Sequence, residues 1–221
     1  MFNMWIYQRL SNYFTFSQKS NEVEKEDIMK KIKIAFVGTH RVGKTSLMLR
    51  LAADLKEDGR HVEIIKEVAR RCPLAINQQT TLEAQMWILF EHIQKEFEEL
   101  QHCDILLTDR AICNYGYLTK KFGRLEFLEP LLKNWCKSFD LMIYVPIALK
   151  IIDDGEAMTD PREQRDYDQE IRDILNLFKD YINLIELPQY DISKWKNIIN
   201  RNVYKVIKKG ENNAKKSETY E

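Results

Sequence analysis

The sequence predicts an α/β protein built as a five-stranded parallel sheet with helices on both faces. Three observations predict it. Short apolar runs alternate along the chain with longer stretches of helical periodicity. Those runs are apolar at nearly every position, as strands covered on both sides require. The first of them ends in a glycine-bounded loop that opens a helix.

That loop is Gly38-Thr39-His40-Arg41-Val42-Gly43-Lys44-Thr45, after the strand Ile32–Val37 and before Ser46 and an apolar-periodic helix. It fits G-x-x-x-x-G-K-[ST]. Unhindered glycines let consecutive backbone N–H groups curl around a phosphate, Lys44 reaches the terminal phosphates, and Thr45 offers a hydroxyl to Mg²⁺. The phosphate would sit on a helix N-terminus, where unpaired donors and the helix dipole favour negative charge. Residues Gly38 to Ser46 are therefore the predicted nucleotide-binding segment, with a nucleoside triphosphate and Mg²⁺ as the expected ligands.

Composition bounds the alternatives. A chain of 221 residues suits one α/β domain, and its 34 basic and 34 acidic side chains cancel, so no strong field steers it to nucleic acid or to an anionic membrane. No apolar run approaches the length of a membrane span. Cys72, Cys103, Cys113 and Cys136 show no metal-binding spacing and read as thiols of a reducing compartment, which points to a cytoplasmic protein.

Residues 1–30 read as an N-terminal extension. The segment Met1 to Ser20 is aromatic-rich, without the apolar core or cleavage site of a secretory signal; a poorly ordered extension and a short packing helix are both compatible with it, and Met29 is a candidate natural start. The first helix, from Leu47 to Leu55, stops at Asp58-Gly59. A second strand over His61–Ile65 ends in the charged cluster Lys66-Glu67-Val68-Ala69-Arg70-Arg71. Such a cluster is either a ligand-facing edge of a parallel sheet or an ion-paired surface turn.

Thr80-Thr81-Leu82-Glu83 reads as a capping box with Thr80 as the cap; Met86, Ile88, Leu89, Ile93, Phe97 and Leu100 form the apolar stripe of the long helix that follows. The strand Ile105-Leu106-Leu107 delivers Thr108-Asp109-Arg110. An apolar strand ending in a carboxylate, downstream of the phosphate loop, supplies the acidic partner that Mg²⁺ needs, and Asp109 is that candidate.

Leu118 to Trp135 is helical with a break at Pro130, and Asp140–Pro146 is a fourth strand. Asp160-Pro161-Arg162-Glu163 starts a helix that carries Arg162, Arg165 and Arg172 outward and Ile171, Ile174, Leu175 and Phe178 inward. A fifth strand, Leu184–Pro188, precedes an amphipathic helix from Ile192 to Ile207. Residues 209–221 read as a disordered, charged tail.

The combination of Gly38-x-x-x-x-Gly43-Lys44-Thr45, Glu67-Val68-Ala69-Arg70, Asp109-Arg110, Asp153-Asp154-Gly155 and Leu184-Ile185-Glu186-Leu187-Pro188 resembles the NadR-type P-loop kinase family. That family is ribosylnicotinamide kinase-like and related to deoxynucleoside and nucleoside monophosphate kinases and to AAA-domain ATP-binding proteins. The similarity spans about residues 31–208, the predicted kinase-like domain.

The resemblance implies roles. Glu67 would accept the proton of an attacking hydroxyl, with Arg70 orienting the acceptor. Asp109 would hold Mg²⁺ or its waters, with Arg110 near the phosphates or substrate. A lid over about residues 153–166 would bring Arg162 and Arg165 to the transferring group.

One position departs from the family pattern, because Ala157 stands where relatives tend to carry arginine. Two classes follow: a small-molecule kinase with a nucleoside-like acceptor, or a regulatory NTPase or nucleotide-binding interaction module. Asn-Lys-x-Asp and Asp-x-x-Gly are both missing, which argues against a guanine-nucleotide switch. The expected partners are a nucleoside triphosphate and a small acceptor, with a homodimer compatible and no nucleic acid.

Overall fold

The computed structural model describes residues 31–66, 68–148 and 160–218. The expectations for residues 1–30, Glu67, Ala157 and positions 153–159 of the lid fall outside those ranges. Within them the elements are β1 (Ile32–Val37), α1 (Lys44–Glu57), β2 (Val62–Ile65), α2 (Leu82–Glu99), β3 (Ile105–Asp109), α3 (Cys113–Phe122), α4 (Glu129–Lys137), β4 (Leu141–Tyr144), α5 (Pro161–Leu177), β5 (Leu184–Glu186) and α6 (Trp195–Glu218).

The five strands form one parallel sheet in the order β2-β3-β1-β4-β5. β1 therefore sits at the centre, and the chain leaves it first to one side and later to the other. A crevice opens beyond the carboxyl ends of the strands at such a reversal.

Alternation along β1 divides the core. Ile34 and Phe36 face α1 and α6, where they meet Met48, Leu51, Leu55, Ile199 and Val203. Ala35 and Val37 face the opposite layer, built from α2 to α5 around Leu89, Tyr115, Leu132, Ile171 and Phe178. Helices on both faces explain why β1 and β3 are buried at every position.

Four local expectations change. α2 is capped by Thr81, whose Oγ1 accepts from the Ala84 N–H at 3.3 Å, while Thr80 instead accepts from the Gln85 side chain at 2.9 Å. The doublet Thr80-Thr81 offers two hydroxyls one residue apart, and the backbone turn selects the second. The helical break expected at Pro130 falls ahead of it, between Phe122 and Glu129, and Pro130 sits in the first turn of α4, where its missing N–H costs nothing.

Phe97 is exposed, and the buried stripe of α2 runs instead through Gln85, Leu89, His92 and Glu96. Finally, α6 continues beyond Ile207 to Glu218, so the chain from residue 209 to 218 is helical. Gly210 packs against Ile32 at the start of β1, and Glu211 pairs with Arg60 at 2.6 Å, which gives this part of α6 a surface to lie on.

The polar members of the α2 stripe form a buried network. Glu96 Oε2 accepts from the Trp135 indole at 2.6 Å and pairs with Lys33 Nζ at 2.7 Å. His92 Nε2 lies 2.6 Å from Thr108 Oγ1, and its Nδ1 lies 3.1 Å from the Asn114 amide nitrogen. Burial alone would raise the Glu96 pKa, but the His92 hydrogen bond and the Lys33 charge outweigh it and hold the carboxyl below its usual range.

Candidate active site

The register of the sheet assembles the site. Phe36 pairs with Asp109 across β1 and β3, and Ile65 of β2 pairs with Thr108, so all three strands end together at one edge. The chain leaves β1 through Gly38, whose φ is +138°. A Cβ there would lie 2.5 Å from the Val145 carbonyl oxygen, so both backbone conformation and space demand glycine. Gly38→Ala is expected to destabilise the domain by more than about 1 kcal/mol, read as a lower urea midpoint.

The loop then curls over itself. Gly38 donates its N–H to Cys113 Sγ at 3.3 Å, and Lys44 Nζ reaches back to the Thr39 carbonyl at 2.7 Å. Arg41 has φ +59°, and Gly43, at φ +87°, turns the chain into α1. Val42 is buried in the core beneath, while Thr45 and Ser46 are exposed in the first turn of α1. A left-handed residue costs energy unless its surroundings hold it, and such strain concentrates at ligand sites.

Lys44, Thr45 and Asp109 meet. The Thr45 hydroxyl donates to Asp109 Oδ2 at 3.0 Å, and Lys44 Nζ stands 3.8 Å from Oδ1. Asp109 is buried, and its Oδ1 has no hydrogen-bond partner among the described residues. An oxygen acceptor left over beside a hydroxyl is a donor set that suits a hard divalent cation. Among the described residues no three or more His, Cys, Asp or Glu side chains are placed to hold a metal ion by themselves. Mg²⁺ needs no such cage, because it takes one or two carboxylates together with phosphate oxygens.

Beyond Asp109 the corner into α3 is strained, with Arg110 at φ +78° and Ala111 at φ +43°. It is fixed from both ends. Arg110 donates its N–H to the Phe36 carbonyl at 3.0 Å, and His92 bridges Thr108, before the corner, to Asn114, after it. The Arg110 guanidinium lies 4.7 Å over the Tyr117 ring, which packs against Tyr167 of α5 at 4.7 Å.

His40 sits in this cluster, with its ring nearly perpendicular to Tyr167 and its Nδ1 3.4 Å from the Tyr117 hydroxyl. Burial, followed by the charges of Arg110, Lys44 and Arg41, pushes its pKa down to about 4. His40 is neutral at neutral pH. The positive charge at the loop belongs to the lysine and the arginines.

α5 reaches the loop through its first turn. Asp160 caps it by accepting from the Arg162 N–H at 2.8 Å, as its sequence predicts. Arg162 and Arg165 are exposed there, and the residue that bonds to the loop backbone is Gln164 between them. Arg70 is exposed in the short 3-10 turn Val68–Arg71 after β2. Glu67 lies outside the described residues.

Sequence patterns miss three participants, Cys113, His92 and Gln164. Each is a buried position whose polar partner is remote in the chain, so motif spacing carries no trace of it. The one available signal is a polar residue in phase with a helix's apolar stripe.

Comparison with known proteins bears on the fold. Residues 33–194 match a family model described as an AAA domain. Deoxyadenosine kinase from M. mycoides superimposes with a TM-score of 0.57 at 12% identity, covering 79% of this chain and 100% of that one. NadR in complex with NR gives 0.56 at 19% identity, covering 71% of this chain and 45% of NadR. Thymidylate kinase from Ehrlichia chaffeensis gives 0.54 at 18% identity, covering 80% and 98%.

No curated protein matches the sequence significantly. At these identities the structures share a fold, that of P-loop nucleoside and nucleotide kinases, and the resemblance read from the motifs is borne out at that level. No described helix is long and apolar enough to cross a membrane. With the family model matched from β1 to the turn before α6, the chain belongs to the AAA-domain family.

Proposed function

We propose that the protein is an ATP-dependent kinase that transfers the γ-phosphate to a hydroxyl of a nucleoside-like acceptor: a nucleoside, a nucleotide or ribosylnicotinamide. The observation that carries this reading is the meeting of Lys44, Thr45 and Asp109 under the glycine loop, at the carboxyl edge of the sheet. Thr45 and Asp109 would hold Mg²⁺. When bound, that ion neutralises charge on the β- and γ-phosphate oxygens.

The side chains divide the remaining work. Lys44 is already directed at the loop carbonyl of Thr39 and exchanges that partner for phosphate oxygens. Arg110 is held beside the site by Tyr117, and Arg162 and Arg165 project from the first turn of α5, so each can meet charge on the transferring group. Glu67 follows β2, whose last residue is in register with the neighbour of Asp109. In this reading Glu67 takes the proton of the acceptor hydroxyl as that oxygen bonds to the γ-phosphorus and the bond to the bridging oxygen breaks. Arg70, three residues on, orients the acceptor.

Asp109→Asn tests the metal assignment. A neutral amide attracts Mg²⁺ or its waters less strongly, so the Mg²⁺ concentration that half-saturates nucleotide binding is expected to rise about ten-fold or more. A fluorescent nucleotide titrated at several Mg²⁺ concentrations checks it, and an unchanged curve removes Asp109 from the site.

Ala157, where the related kinases tend to carry an arginine, favours a second reading as a regulatory NTPase without an acceptor. ADP release measured over a panel of nucleosides, nucleotides and ribosylnicotinamide separates the two. Stimulation by one of them marks a kinase, and unstimulated turnover marks the NTPase.

A further inference from the structure

We propose that Gln164 is a positioning residue for the phosphate loop: from the first turn of α5 it holds the His40 carbonyl and so aims the Arg41 N–H at the phosphates. The proposal rests on the nucleotide-binding reading of the loop.

Gln164 is 2% exposed, in phase with Ile171 and Leu175 on the inward face of α5, where an apolar side chain would be expected. Its Nε2 donates to the His40 carbonyl at 2.8 Å, and its own backbone carbonyl accepts from Thr39 Oγ1 at 3.3 Å. The amide orientation is fixed by chemistry, because a carbonyl can only accept and the NH₂ group must face it. One helical residue thus grips two successive loop residues.

Peptide geometry carries the consequence to the ligand. The described chain has no cis peptide bond, so the N–H of Arg41 points opposite to the His40 carbonyl and away from α5. The preceding peptide is held by a different group, since the Thr39 carbonyl accepts from Lys44 Nζ at 2.7 Å. When Lys44 turns to a phosphate it releases that carbonyl, and Gln164 remains as the anchor of the loop. Arg41, at φ +59°, is the residue whose backbone most needs such a hold.

Two substitutions in the full chain test this. Gln164→Met keeps the volume and removes the donor; Gln164→Glu keeps the shape and sets a carboxylate against the carbonyl. Each is expected to weaken Mg·ATP binding, measured by calorimetry, by about ten-fold or more, the cost of leaving a buried acceptor unpaired.

Gln164→Glu adds a signature that a packing role would not produce. Burial favours the neutral carboxyl, which can donate to His40, so the deficit relative to wild type narrows between about pH 8 and about pH 5.5. The charged groups that act on His40, the residue Gln164 holds, are Arg110, Lys44 and Arg41, and Tyr117 and Tyr167 lie against its ring. His40, held at about 4, stays neutral across that window.

A lower melting midpoint with unchanged Mg·ATP affinity, or a Gln164→Glu deficit that does not respond to pH, overturns the proposal. If Gln164→Met does not fold, the Gln164→Glu comparison decides. Wild-type protein that binds no Mg·ATP overturns the nucleotide reading itself, whereas wild-type binding matched by both variants overturns this proposal alone.

Discussion

Lys44→Ala is expected to lower turnover by about 10²–10³-fold and to remove most Mg·ATP affinity, with the fold retained. The ammonium is buried, donates to the Thr39 carbonyl at 2.7 Å and stands 3.8 Å from Asp109 Oδ1, so it is aimed before any ligand arrives. Position 44 is the first residue of α1, where alanine is a good helix former. Asp109 keeps its Thr45 partner in the variant. Calorimetry with Mg·ATP, beside a thermal melt, checks both halves. Unchanged affinity and turnover would end the phosphate-loop assignment.

Glu67→Gln is expected to leave ATP affinity in place and to lower acceptor-dependent transfer by about 10²–10⁴-fold, the range typical of a lost general base. Gln is nearly isosteric with Glu and still hydrogen-bonds, so the change removes basicity with little change of shape. In an NTPase that transfers to no acceptor, Glu67 would instead pair with a surface arginine, where such a contact is worth at most about 1 kcal/mol. Turnover would then hardly move. Single-turnover transfer with saturating ATP, with and without the best acceptor, separates the outcomes. Equal rates in both proteins with a confirmed acceptor would remove Glu67 from the reaction.

The legible part of this molecule is the part written in local chemistry. All five strands, the loop from Gly38 to Ser46, the Asp160 cap and the carboxylate at the end of β3 each follow from a few consecutive residues. The glycine stop at Gly59 follows in the same way, with its N–H returning to the Lys56 carbonyl at 3.0 Å.

What pattern reading misplaces is governed by contacts between segments distant in the chain. On α2 the apolar rule selects Phe97, yet the core side carries His92 and Glu96, because Lys33, Trp135, Thr108 and Asn114 arrive from four other elements to pair with them. A helix read alone cannot reveal partners that the sheet and two other helices supply. The same holds at α5. Arginines draw attention in a lid, while the side chain that bonds to the loop backbone is an uncharged Gln164, whose role exists only once α5 is folded against α3 and the loop after β1. The length of α6 beyond Ile207 depends likewise on the start of β1 and on Arg60, which no helical period records.

The packing of Gly210 against Ile32 has a practical consequence for handling the molecule. Parallel strands give the sheet two poles, and the glycine loop occupies the one where strands finish. Ile32 and the far part of α6 meet at the other, where strands begin. A fusion partner, purification tag or fluorophore joined ahead of Lys31 would set out from the side opposite ligand entry, as would one joined near Asn212. Reporters on this protein can therefore be attached there in pairs, close enough for energy transfer and clear of the phosphate cradle.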